Sequence, residues 1–185
     1  VEAQIATLQG LNVQVDGSPG TGTPIADLTF VDANFAQCVT EQTQGMLLTG
    51  QVTHLGCSHR SISSIEGVEA FTSLVSLDIN ENQVKDLTVL SGITTLQELH
   101  IMESDNDGID LAPLFTLPNF NTLALRRNQL NDFEGGDNFD QIAQLSHLTS
   151  LTVHGDISNS DVESNGNFET ADLSSWELFG GSHSV

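Results

Sequence analysis

The 185 residues predict an α/β repeat fold: a right-handed solenoid of five coils, with a parallel sheet on the concave face and short helical or irregular returns on the convex face. Two observations carry this expectation. A pattern written apolar-x-x-apolar-x-apolar occurs five times, at Val52/Leu55/Cys57, Leu74/Leu77/Ile79, Leu96/Leu99/Ile101, Phe120/Leu123/Leu125 and Leu148/Leu151/Val153. The copies start 22, 22, 24 and 28 residues apart, and a period in the twenties suits one strand, a turn and a return segment. A single coil of that length cannot bury its apolar stripe, so the core forms only when coils stack on their neighbours.

Within each copy the last two apolar residues are two apart. That spacing sends both to the inner face of a strand and the residue between them outward. Asn82 and Asn128 come three residues after the last apolar position, where a side-chain amide can satisfy backbone groups of the turn; Arg60, Ser104 and Asp156 hold that place in the other copies. The consensus resembles a leucine-rich repeat. The second stretches, Asp86-Leu-Thr-Val-Leu-Ser-Gly-Ile93 and Asp110-Leu-Ala-Pro-Leu-Phe-Thr-Leu117, resemble the Asp-Leu-x-Pro-Leu-x-x-Leu return of internalin-like bacterial repeats, and the resemblance covers residues 30 to 157. It implies a secreted or surface-attached, non-catalytic bacterial module that displays a rigid curved surface to a protein or glycan.

Residues 1–29 fit no repeat. They read as an extended arm, with alternating strand segments at Gln4–Leu8 and Leu11–Val15 followed by a turn-rich connection. Such an arm can pack on the solenoid, pair with another domain or add a strand to a neighbour. Residues 30–51 form the next unit, in which a short helix begins at Asp32 and places Phe35, Cys38 and Val39 on one face. Its Phe30-x-Asp32-x-Asn34-Phe35 opening resembles the helix that caps the first coil of secreted bacterial repeat proteins, and some cap is required to cover an open apolar edge. Cys57 stands at an inward strand position of the first coil and Cys38 on the apolar face of the helix. Adjacent layers bring the two within bridging distance, which predicts a disulfide closing a loop of about twenty residues and worth roughly 3 kcal/mol. The alternative is two buried thiols filling core volume. A bridge would fit an oxidising, extracellular compartment, and Val1 without an initiating Met reads as a processed mature end.

Residues 52–157 hold the repeats. The third coil is lengthened by an acidic turn in which Glu103, Asp105, Asp107 and Asp110 surround Gly108. This turn resembles calcium-holding Asp-x-Asp-Gly loops, but the twelfth position counted from Glu103 is Leu114, which is wrong for an EF-hand. Calcium and a solvated acidic turn therefore both stand as readings, and no other cofactor is implied. A second acidic stretch, Asp132–Asp140, precedes a short helix expected over Phe139 to Leu145. Residues 158–185 read as a linker and strand extension, in which Asn165-Gly-Asn-Phe-Glu-Thr-Ala-Asp-Leu-Ser-Ser-Trp176 resembles the opening of a carbohydrate-binding-type jelly roll.

Charge narrows the partners. Twenty-five acidic residues stand against Arg60, Lys85, Arg126 and Arg127, for a net charge of −21, which argues against nucleic acid or an anionic membrane surface. No run approaches the roughly 18 apolar residues a membrane-spanning helix needs. The charge serves solubility in a salty medium or attracts cations and basic partners.

The repeat register aligns outward residues in columns: Gly56, Asp78, His100, Ala124 and Thr152 in one, and Ser58, Asn80, Met102, Arg126 and His154 in the next. Flanking them are His54, Ser76, Glu98, Thr122 and Ser150, with His59, Glu81, Glu103 and Arg127 on the far edge. Candidate binding residues on this face are His54, Asp78, Asn80, Glu98, His100, Met102, Arg126, Arg127 and His154. Asp78 and His100 are expected to face one another, either as a metal or acid–base pair or as an exposed ion pair. Arg126 and Arg127 either anchor a carboxylate-bearing partner or balance Glu103 and Asp105. An open strand offers Ser58 or Ser76 no oxyanion hole, and neither a phosphate loop nor zinc-ligand spacing is present, so no enzyme is expected. Two functions follow: an extracellular recognition or adhesion module binding a protein or glycan, or a structural subunit of a filament or surface layer that self-assembles through its terminal strands.

Overall fold

Leucines one repeat apart in sequence, Leu55, Leu77, Leu99, Leu123 and Leu151, become direct neighbours in a five-stranded parallel sheet. The computed structural model describes residues 21–102, 109–126, 141–142 and 144–154. Strands β1 (His54–Gly56), β2 (Ser76–Asp78), β3 (Glu98–His100), β4 (Thr122–Arg126) and β5 (Ser150–His154) follow one another in chain order across the sheet. The five leucines are at most 2% exposed and head a continuous apolar core. The chain is thus an α/β repeat fold with little helix.

Parallel neighbours need a return between them, and here the described returns are 3-10 turns: Val68–Ala70, Thr88–Gly92 and Ala112–Leu114. Their buried residues recur every third position, Ile65/Val68/Phe71, Leu87/Leu90/Ile93 and Leu111/Leu114/Leu117. Three residues per turn put each triplet on one side, facing the sheet. All three returns open with the same contact, a side-chain oxygen accepting the N–H two residues on. Ser64 Oγ takes Glu66 N–H at 3.2 Å, Asp86 Oδ1 takes Thr88 N–H at 2.8 Å and Asp110 Oδ1 takes Ala112 N–H at 2.9 Å. The Asp that opens the repeated return is therefore a turn-former. Gly67, just before the first return, has φ +103°, and a Cβ there would lie 2.7 Å from the Phe30 ring.

Helix α1 (Ala33–Gln42) buries Phe35, Cys38 and Val39 and packs beside β1. Cys38 and Cys57 form a disulfide between the two, with Cα atoms 5.7 Å apart, so the two-thiol alternative falls. Asp32 caps the helix: its Oδ1 accepts the N–H groups of Asn34 at 2.8 Å and Phe35 at 3.1 Å. Its Oδ2 accepts both the N–H and the hydroxyl of Ser63, each at 2.8 Å, and Asn34 Nδ2 donates to Ser61 O at 3.1 Å. Burial pushes the Asp32 carboxyl up, but these hydrogen bonds from Ser63, Phe35 and Asn34 outweigh it and hold its pKa below the ordinary 3.8. The Phe-x-Asp-x-Asn-Phe motif thus caps the helix and ties it to the loop after β1 through the same side chains. Phe30 completes the tie, meeting Phe35 edge-on at 5.3 Å and lying parallel to Phe71 at 6.4 Å. The described part of the preceding arm also packs on this chain. Pro24 bridges Leu48 antiparallel, and Thr49 N–H donates to Thr23 O at 3.0 Å.

The strand segments expected at 4–8 and 11–15, most of the acidic turn, Asn128, the stretch 132–140 and the extension 158–185 lie outside the described residues; of the helix expected over 139–145, Gln141 and Ile142 are helical.

Candidate functional site

The alternation that buries the leucines leaves the other face of the sheet covered by polar side chains. Register places His54, Ser76, Glu98, Thr122 and Ser150 in one row and Gly56, Asp78, His100, Ala124 and Thr152 in the next. Ser76, Asp78, Glu98, His100 and Met102 are half-buried, while His54 and Gly56 are exposed. Ala124 shares the outward row yet is 4% exposed, because a methyl group between the larger His100 and Thr152 does not reach solvent. Gly56 and Ala124 therefore leave Asp78 and His100 standing between two low positions.

The Asp78–His100 pair is in register but is not an ion pair. Asp78 turns its Oδ1 away, accepting the Ser58 hydroxyl at 2.6 Å and the Asn80 N–H at 3.0 Å. The two ion pairs among the described residues lie elsewhere. His59 Nδ1 meets Glu81 Oε2 at 2.5 Å on the far edge, and Arg60 meets Glu41 of α1 at 2.7 Å. Hydrogen bonding from Gln37 and the nearby Arg60 guanidinium hold the Glu41 carboxyl below its usual range.

Asn80 is also engaged internally, its Oδ1 accepting the Met102 N–H at 2.6 Å. Behind it, Asn82 is fully buried and does what its position in the repeat predicted. Its Oδ1 accepts the N–H groups of Arg60 at 3.1 Å and Ile62 at 3.0 Å, and its Nδ2 donates to Cys57 O at 2.8 Å, Ile79 O at 2.9 Å and Asn80 O at 3.1 Å. One side chain thus satisfies the turns after both β1 and β2. These turns force His59, Ser61 and Glu81 into the left-handed region, at φ 58°, 55° and 54°, where a non-glycine residue is disfavoured. No signal in the side-chain pattern marked those three positions. The use of Asp78 and Asn80 as turn supports was likewise missed, although Asp and Asn at or just beyond the end of a strand are residues that bind local backbone.

Two candidates emerge without internal partners. The Glu98 carboxylate and the His100 ring make no hydrogen bond or ion pair among the described residues, and both are half-buried on β3. His54 has a near neighbour in Thr53, whose hydroxyl lies 2.9 Å from Nδ1. Arg126 and His154 are opposed in register on β4 and β5. Arg127, Glu103, Asp105 and Asp107 lie outside the described residues, and among those that are described no three His, Cys, Asp or Glu side chains converge to hold a metal ion. Asp110, the described member of the acidic turn, directs Oδ1 to Ala112.

No protein-family model and no curated protein matches the sequence. Among solved structures, the chain is similar to an internalin (InlF) from Listeria monocytogenes, at 20% identity and a TM-score of 0.39, over 85% of this chain and 58% of that one. It is also similar to internalin C2 of the same species, at 19% identity and a TM-score of 0.37, over 71% of this chain and 77% of that one. A third similarity is to the functional domain of InlJ from Listeria monocytogenes, which includes a cysteine ladder, at 20% identity and a TM-score of 0.44, over 79% of this chain and 41% of that one. The chain thus spans 58% of the InlF chain and less than half of the InlJ domain.

Proposed function

We propose that this chain is an extracellular, non-catalytic recognition module that binds a protein or glycan through the outward face of its parallel sheet. The observation that carries the reading is the pairing of Glu98 and His100. Both are held on a strand at half burial, and both have polar atoms that no group among the described residues satisfies. Unsatisfied groups on a preorganised surface favour a partner that completes them. In this reading α1 caps a five-coil solenoid running from residue 52 to 157, residues 30–51 being the cap. The Cys38–Cys57 bridge supports an oxidising, extracellular setting. Among the described residues, no helix is long and apolar enough to cross a membrane.

The test is a panel of cell-surface proteins and glycans probed with the native chain and with Gly56→Tyr and Thr122→Tyr. Both substitutions raise a neutral bulky ring from the face and leave the leucine row untouched. Binding lost in both variants with melting unchanged is the expected result. Ligands that bind the tyrosine variants as well as the native chain would remove the sheet face from consideration and return attention to assembly through the terminal segments.

A further inference from the structure

We infer that the partner taken by this face is a protein segment carrying lysine or arginine at alternate positions, an inference that rests on the recognition reading above. Charge complementarity carries it. The described side chains of the face include the carboxylates of Asp78, Glu81 and Glu98, while Arg60, the one guanidinium among the described side chains, is drawn off to Glu41 of α1. Glu81 is answered by His59. Among the described residues Glu98 is answered by no donor, and Asp78 uses Oδ1 for Ser58 and Asn80 and leaves Oδ2 without a partner. A half-buried carboxylate with no internal donor is best completed by a charged N–H donor, the stronger class of hydrogen bond.

Spacing makes the match specific. Glu98 lies in register with Ser76, two residues before Asp78 on the adjacent strand, so the two carboxylates are diagonal neighbours about 8 Å apart at the backbone. Alternate residues of an extended segment are about 7 Å apart and project from the same side, a difference that a flexible lysine or arginine side chain spans. An extended peptide with two cationic residues at i and i+2 therefore meets both carboxylates at once. Gly56 and Ala124, the low positions on either side, leave room for its backbone. A glycan fits less well, because the described part of the face carries no Phe, Tyr or Trp ring to stack on a sugar. A polyanion is repelled by the net charge of −21.

The experiment is fluorescence anisotropy with a labelled dodecapeptide alternating lysine and serine, at physiological salt, against the native chain, Glu98→Gln and Glu66→Gln. Both variants remove one carboxylate, but Glu66 is exposed in the first return, away from the face. The Glu98 carboxylate makes no hydrogen bond or ion pair among the described residues, so its amide variant should fold and melt as the native chain does. We expect Glu98→Gln to weaken binding about threefold to fivefold, the range of a partly exposed charge pair, and Glu66→Gln to leave it within experimental error. Equal losses in the two variants would reduce the attraction to diffuse charge and overturn the inference, as would no binding at all. A natural ligand abolished by Gly56→Tyr but indifferent to Glu98→Gln would overturn the cationic partner and leave recognition by the face standing. A ligand indifferent to both would overturn the recognition reading itself.

Discussion

Replacing Asn82 with alanine should be among the most damaging single changes the fold can suffer without loss of apolar contact. The side chain is 0% exposed and holds five backbone groups from two successive turns. One of these, Asn80 O, keeps a second donor in the His59 N–H at 3.0 Å. The other four, the N–H groups of Arg60 and Ile62 and the carbonyls of Cys57 and Ile79, lose the partner the structure gives them. At about 1 kcal/mol for each group left unmade, the loss is about 4 kcal/mol, well above what most substitutions cost. Urea unfolding followed by far-ultraviolet dichroism measures it, as a fall in midpoint at constant slope. Asn82→Asp keeps both acceptor contacts but turns a charge toward the Cys57 and Ile79 carbonyls, so it should do no better than alanine at neutral pH. A loss under about 1 kcal/mol for Asn82→Ala would mean that water or a relaxed turn takes over the four groups, and the account of this residue as the shared support of two turns would be wrong.

The remaining predictions concern the end of the sheet nearest α1. Asp32 has its carboxyl pKa lowered in the folded chain, so the stability it contributes is complete above the unfolded value near 3.9 and is lost as pH falls through the lower folded one. Asp32→Asn should therefore flatten the acid limb of a melting-temperature profile below pH 4, and an unchanged limb would refute that assignment. Cys38→Ser with Cys57→Ser should lower stability by roughly 3 kcal/mol for a bridge spanning 19 positions, read from urea midpoints without reductant. Gly67→Ala should cost more than about 1 kcal/mol, since it adds a Cβ against Phe30 at a left-handed φ; a melt as high as the native one would show that Phe30 moves freely.

How far the sequence could be read follows from which forces leave a periodic trace. The inward leucines recur at fixed spacing because stacking buries the same position in every coil, so the parallel sheet, its register and the capping role of Asp32 were all legible. Asn82 was legible for a related reason, since it stands at a fixed offset from the last inward apolar residue, where the recurring turn has backbone groups to satisfy. The donors that Asp78 and Asn80 accept from were not, because a hydrogen bond from Ser58 or Met102 depends on side-chain direction within a turn and repeats in no other described coil. The left-handed His59, Ser61 and Glu81 left no trace either, since glycine, the residue that usually announces such a φ, stands at none of them. The helical returns were foreseen as short or irregular; that they are 3-10 turns follows from apolar residues every third position, a spacing visible in Leu87/Leu90/Ile93.

The same accounting of polar groups separates structure from recognition on the sheet face. Asp78 and Asn80 look equally suited to binding in the sequence, yet Asn80 is committed to a neighbouring turn, as Asn82 is, and Asp78 is half committed. Each such bond fixes a loop at the rim of the sheet, which holds the rows above it in register. Glu98 and His100 belong to the next strand, where no polar side chain of the described residues reaches across to satisfy them. A surface whose supports are internally saturated and whose central groups are not is rigid where it must hold shape and unsatisfied where a partner can gain. The acidic and asparagine-rich run at and after the end of β2 thus builds the platform, and the plainer Glu-Leu-His of β3 carries polar groups left without partners among the described residues.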